Sequence, residues 1–247
     1  MLTALHRRLA PGAEFDLDPG PHRDRVPDVP GRTRPALADL LEGAGFSVVA
    51  SDPPGWASTA RTGPVIRLRR ERTLPDRVGP GMRLLVCGLN PSLHAADSGV
   101  PFGRPGNRFW PALLAAGLAE RDRDPDDALA HHGIGFTDLA KRATRSAAEL
   151  DRHELAHGAA RLERLVAWIR PAAVCFLGLT GYRLAVDPTA RAGPVAPFGG
   201  RPALLAGNPS GLNAHWQHDD LVEALRAAAA QGGAWCSAQG GASDLTR

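Results

Sequence analysis

Three short apolar runs set among helical stretches predict an α/β fold. The expected architecture is a three-layer sandwich with a mostly parallel central sheet between helices, and an N-terminal extension beside it. The runs are Arg83–Gly88, Ala172–Gly178 and Pro202–Ala206. Each is apolar without alternation, as strands buried on both faces are. The stretches between them carry helical period, most plainly Leu150–Ile169, where Leu155, Ala159, Leu162, Leu165, Val166 and Ile169 share one side. At 247 residues, with 43% hydrophobic and 22% charged, the chain can hold one core plus an appendage, or two small domains.

Residues 1–34 are rich in Pro, Gly, Asp and Arg and read as irregular. Ala36, Leu37, Leu40, Leu41 and Ala44 then fall on one helical face. Gly45 stops that helix and Phe46–Val49 reads as a short strand. After the Pro/Gly-rich stretch Ser51–Gly63, Val65–Arg70 alternates like an edge strand with a basic outer face. Six arginines between Arg61 and Arg77, set against Glu71 and Asp76, suit a solvated edge blunted by charge, or contact with phosphates. Past Pro80-Gly81 the strands alternate with helices at Arg108–Gly117, Asp126–His131, Leu150–Ile169, Thr180–Val186 and Asp219–Ala230. The domain reading is therefore an extension over 1–80, a core over 81–230, and a flexible Gly/Ser/Ala-rich tail over 231–247.

Composition excludes several classes. Three widely spaced cysteines, Cys87, Cys175 and Cys236, make neither a disulfide framework nor a four-cysteine metal site. The longest apolar runs fall far short of the ~20 residues a membrane span needs. Residues 1–17 lack the apolar stretch of a signal peptide, so a cytoplasmic protein is expected, nucleoid-associated if bacterial. A net charge of +3 is compatible with nucleic acid without demonstrating it.

Ligands of such sheets bind where loops leave the carboxyl ends of strands. Two of the three strands end alike here: Cys87-Gly88-Leu89 runs into Asn90-Pro91-Ser92, and Leu205-Ala206-Gly207 into Asn208-Pro209-Ser210-Gly211. The glycine allows close backbone approach, the proline fixes the turn, and an amide or hydroxyl faces the mouth. Alone, such turns are as readily capped strand ends as a ligand site.

The surroundings sharpen this reading. Gly88-Leu89-Asn90-Pro91-Ser92-Leu93, then Gly99-Val100-Pro101-Phe102 and Arg104-Pro105-Gly106-Asn107-Arg108-Phe109-Trp110, resembles the mismatch-specific uracil/thymine-DNA glycosylases, the Mug/TDG family. Asn208-Pro209-Ser210-Gly211-Leu212-Asn213 is similar to that family's DNA-wedge motif, and Gly135-Phe136-Thr137-Asp138-Leu139 matches a segment between the two. The likeness runs from Met82 to Ala228. It implies a uracil-DNA glycosylase-like fold and hydrolytic excision of uracil from mispaired DNA, leaving an abasic site. Thymine and modified pyrimidines are further candidate bases. By match, Asn90 places the attacking water. Gly88, Leu89 and Pro91 line the base pocket, Phe102 stacks on the flipped base, and Leu212 fills the hole left in the duplex. Asn208, Pro209, Ser210, Gly211, Asn213 and His215 surround that wedge.

The implied partner is double-stranded DNA with U or T mispairs, with single-stranded DNA as a second candidate. No metal or organic cofactor is called for, and a monomer is expected. Where some relatives carry an arginine that holds the opposite guanine, this chain has Ala214, followed by His215. Ala95 falls where relatives show either a small hydroxyl or alanine, a position that bears on substrate range. His94 beside it is unusual and has no assigned role, and Asp97 reads as a solvated loop carboxylate without a role.

Two other readings compete. The same fold could bind mismatched or single-stranded DNA without cleaving it. His153-Glu154-Leu155-Ala156-His157 satisfies the H-E-x-x-H zinc pattern on a helix. Ala160 and Glu163 stand where its extended form needs Gly and His, so that match reads as coincidence on a solvated face.

Overall fold

In the computed structural model, residues 2–17, 36–51, 66–211 and 213–243 are described. The core is a five-stranded sheet in the order β5-β4-β6-β8-β7, built from β4 (Leu84–Gly88), β5 (Ile134–Asp138), β6 (Val174–Leu177), β7 (Gly193–Phe198) and β8 (Arg201–Ala206). All pairings are parallel except β7 with β8. Alternate residues of one strand serve two cores, which is why the runs read as continuously apolar. Leu84 and Val86 pack with α4 (Phe109–Ala115), α5 (Pro125–His132) and α8 (His218–Ser243) on one face. Leu85 and Cys87 pack against α6 (Arg152–Ile169) and α7 (Leu179–Ala185) on the other. The three-layer α/β sandwich expected from the sequence is therefore the fold observed.

Two strands of this sheet escaped the sequence reading. In β5, Ile-Gly-Phe-Thr-Asp is too polar to read as an apolar run, yet all five residues are buried. In β7, Gly-Pro-Val-Ala-Pro-Phe holds two prolines, tolerated because the strand lies at the edge of the sheet. Helix α3 (Leu93–Ser98), only six residues long, was also not anticipated.

The N-terminal region is better organised than its composition suggests. Helix α1 (Leu2–Arg8) and strand β1 (Glu14–Leu17) occupy part of the stretch read as irregular; residues 18–35 lie outside the described residues. Helix α2 (Leu37–Gly43), β2 (Phe46–Ser51) and β3 (Ile66–Arg70) complete a small antiparallel sheet in the order β1-β3-β2. β3 is its central strand, which corrects the edge-strand reading. Ile66, Leu68 and Arg70 point inward, while Arg67 and Arg69 pair across to Asp16 and Glu14 on β1. The basic outer face is thus matched by an acidic neighbour that the pattern of β3 alone could not reveal. Arg61 lies outside the described residues.

This small unit is tied to the core by ion pairs of Asp39 with Arg164 and Arg72 with Asp97, and by a hydrogen bond between His157 and Glu42. Beneath them, the Asp76 side chain is 7% exposed and sits between Arg161 Nη1 at 2.9 Å and Lys141 Nζ at 2.8 Å. Thr137 Oγ1 donates to the same carboxylate at 2.7 Å. At the far end, α8 runs through residues read as a loose tail, because alanine-rich sequence favours helix once a core-packed turn has nucleated it.

Candidate active site

The parallel ladder between β4 and β5 does not stop where the strands do. Leu139 N–H donates to Gly88 O, Ala140 N–H to Leu89 O, and Thr144 N–H to Pro91 O. The segment 139–144 therefore runs beside 88–92 and walls the mouth of the sheet. Ser92 closes the turn as the N-cap of α3, its hydroxyl accepting from Ala95 N–H at 3.1 Å.

Asn90 is held by this wall. Its Nδ2 donates to Thr144 Oγ1 at 2.7 Å and to Arg142 O at 3.0 Å, with Pro91 O at 3.2 Å. With the N–H groups turned into the loop, Oδ1 is the atom left to accept a hydrogen bond from a water. The loop itself is braced by Arg142, whose guanidinium forks onto Glu154 at 2.8 and 2.9 Å. Glu154 is the middle residue of the H-E-x-x-H string, and His157 of the same string pairs with Glu42. Both side chains are thus committed to packing α6 against its neighbours.

One residue that the sequence reading passed over stands at the centre of the mouth. Asp138, 6% exposed, ends β5 directly opposite Gly88. A methyl group placed on Gly88 would lie 2.4 Å from Asp138 Oδ1 and 3.3 Å from Phe102 Cζ. Only a glycine fits here: Gly88 fills a narrow slot between a carboxyl group and an aromatic edge, with no room for a methyl group. Burial drives the Asp138 carboxyl up to about 6; Lys141 opposes this, Asp76 adds to it, and Arg161 opposes it more weakly. The signal was present in the sequence only as the last polar residue of a segment quoted for its likeness.

Phe102 is half-buried, with its ring 4.4 Å from that of Phe109 at an interplanar angle of 35°. Its φ of 55° is unusual for a side chain of that bulk. Such strain persists only where the surroundings enforce it, and here it presents the ring at the slot. Leu89, half-buried, packs towards Gly181 of α7, whereas Pro91 is buried.

The second loop, 208–216, is folded on itself. Asn208 Oδ1 accepts from Ser210 N–H, Asn213 Nδ2 donates to Asn208 O, and Asn213 Oδ1 accepts from His215 N–H. Pro209 is buried, while Gly211 and His215 are exposed. Leu212, the expected wedge, lies outside the described residues. Arg108 pins this loop to the first: Nη1 donates to Asn213 O at 2.9 Å and Trp216 O at 2.7 Å, and Nη2 to Gly211 O at 3.2 Å. Arg108 N–H also donates to Pro209 O. The structure thus gives Arg108 a task that the sequence alone did not. Replacing Arg108 by Ala is expected to loosen the second loop and weaken capture of well-paired duplexes by about tenfold, as loss of charged hydrogen bonds worth ~1.5–3 kcal/mol would. Single-strand substrates should change little, and binding titrations of both forms check this.

Asp97 is solvent-exposed as expected, but it lies on α3 rather than in a loop, where it forks with Arg72 at 2.8 and 2.6 Å. His94 is exposed at the start of the same helix, and Ala95 is buried. Among the described residues, no helix is long and apolar enough to cross a membrane.

An α/β sandwich that brings two loops together at the carboxyl ends of its parallel strands places a ligand site there. A family model described as the uracil DNA glycosylase superfamily matches residues 75–229, more than half of the chain. The chain belongs to that superfamily. Membership supports DNA glycosylase activity on uracil, as in base excision repair, and DNA as the partner. The matched span starts at Pro75 and so takes in Asp76 and Arg77, whose side chain and backbone respectively are built into the core.

Proposed function

We propose that this protein is a monofunctional glycosylase of the mismatch-specific Mug/TDG type, excising uracil from U·G and related mispairs. The observation that carries this reading is the fixed amide of Asn90 beside the Gly88–Asp138–Phe102 slot. In this mechanism the flipped pyrimidine stacks on Phe102 with its edge towards Asp138 and the backbone of Gly88 and Leu89. The bond between sugar C1′ and base N1 breaks, and its electron pair leaves with the base. Water held by Asn90 Oδ1 adds to C1′, and the proton it releases passes to the uracil anion, leaving an abasic sugar and neutral uracil. The second loop, through Leu212, takes the place of the extracted base. Residues 81–230 form the catalytic unit in this reading, with 1–80 as an accessory unit. DNA in the cytoplasm or nucleoid is its substrate, and the protein acts as a monomer without metal or organic cofactor.

Strand cleavage after alkali tests the proposal, using U·G, U·A and T·G duplexes and single-stranded uracil in EDTA. Abasic sites formed first and fastest from U·G support it. Equal rates on all uracil substrates remove the mismatch preference. No cleavage with duplex binding intact leaves a binding protein of this fold.

Asp138 sets the expected pH response. With a carboxyl group near 6, cleavage that uses the ionised form rises through pH 6 and then levels off. Asp138→Asn should flatten that limb and lower the plateau by about 10²-fold. Stability runs the other way: the folded-state value lies above the unfolded one, so folding favours the protonated acid. Stability is then greatest below the unfolded value and falls as pH rises towards 6. Paired pH–rate and pH–melting curves of the two proteins check both signs.

A further inference from the structure

A second cleft, of about 340 Å³, lies between the N-terminal sheet and the core. It is lined by α1, the end of β3, Arg77, the last turn of α3 and the start of α5, and no step proposed above uses it. Its charges are unusual. Arg70 is only 8% exposed; its Nε reaches His6 O at 3.4 Å, and its Nη1 has no hydrogen-bond partner among the described residues. Arg77, 6% exposed, donates from Nη2 to Gly99 O at 3.1 Å. Its Nε stands 3.2 Å from Asp126 Oδ1 without making a hydrogen bond. Arg7 and Arg123 complete the basic lining.

Asp97 favours the Arg70 cation at longer range, but among the described residues no acidic side chain forms an ion pair with it. Asp97 is forked by Arg72, and Asp124 caps Asp127 N–H. Asp126 is more than half exposed and divided between Arg7 and Arg77. His6 is kept neutral by burial and by the charge of Arg70, with its Nε2 donating to Glu71 O. A guanidinium withdrawn from water without a counter-ion is costly, and an anion entering the cleft would relieve it. A fork of N–H donors suits phosphate oxygens best.

We infer that this cleft is a phosphate-binding site, with Arg70 as its central ligand and Arg77 and Arg7 beside it. The volume admits a phosphate with an attached sugar. A backbone phosphate of bound DNA and a free phosphate monoester present the same chemistry. The inference stands independently of the glycosylase reading, because its first test uses no DNA.

That test is thermal unfolding of the whole chain in rising inorganic phosphate, against chloride at equal ionic strength. Phosphate should raise the wild-type melting temperature with saturation, and Arg70→Met, which keeps the apolar stem, should abolish the rise. Arg83→Met, on an exposed residue outside the cleft, should keep it. No response in the wild type overturns the site, and so does an equal response in Arg70→Met. Should Arg70→Met fail to fold, Arg77→Gln takes its place, and calorimetric titration of the wild type with phosphate decides whether anything binds. The two sources are separated by the salt dependence of duplex binding. A DNA phosphate predicts that Arg70→Met lowers the slope of log K against log salt by about 1 and that free phosphate competes with duplex. An unchanged slope assigns the site to a free phosphate monoester.

Discussion

Replacing Asn90 by Ala should reduce uracil release from a U·G duplex by about 10²–10³-fold, the range typical for loss of one preorganised polar group. Duplex affinity should stay within about threefold, because the side chain makes its hydrogen bonds to the protein's own loop. The reason lies in how it is held. Thr144 Oγ1 and Arg142 O take up the amide's N–H groups, so the acceptor end cannot rotate away from the mouth. Asn90→Asp keeps the size but loses those donors. It should therefore disturb the 142–144 loop, even though it supplies a carboxylate. Single-turnover cleavage alongside equilibrium binding separates the two effects. An equal fall in cleavage and binding would contradict the water-placing role.

Asp76→Ala is expected to give the largest loss of stability. Lys141 and Arg161 would be left as two buried cations with no counter-charge, and breaking such a pair costs about 3–5 kcal/mol. For a chain of this length that is a fall in melting temperature of about 10 °C or more. Burial opposes the ionisation of Asp76, but Arg161 and Lys141 outweigh it and hold the carboxyl below its ordinary range. The stabilisation is therefore present at neutral pH and is lost as pH falls through that depressed value. Asp76→Asn keeps the shape and removes the charge, so it should lie between the wild type and Ala. Melting curves of the three proteins at neutral pH establish the order.

The sequence revealed what apolar period can encode. β4, β6 and β8 are unbroken apolar runs, and α6 carries its stripe over five turns, so each was legible. β5 was not, because Gly135, Thr137 and Asp138 break its run, although tertiary packing buries all of it. β1 and β3 show the same limit. Whether a strand is central or at an edge depends on partners far away in sequence, and Glu14 and Asp16 lie more than fifty residues from the arginines they meet. At the mouth of the sheet, Asn90 could be singled out by its motif. Asp138 and Arg108 could not, since their importance comes from what lies opposite: a glycine in one case, three carbonyl oxygens in the other.

The ladder that runs on from β4 and β5 through the mouth has a mechanical consequence. Main-chain hydrogen bonds tie segment 139–144 to the central sheet and hold that side of the mouth in one shape as a base enters or leaves. On the proposed reading, part of the shape change needed for extraction then falls on the duplex, which bends and unstacks to bring the nucleotide to this wall. Helical pairs differ in how readily they yield, by up to a few kcal/mol for each base taken out. A stiff enzyme turns that difference directly into rate. Discrimination among lesions would then rest on the give of the DNA as much as on the fit of the slot, and pairs that already breathe would be repaired first.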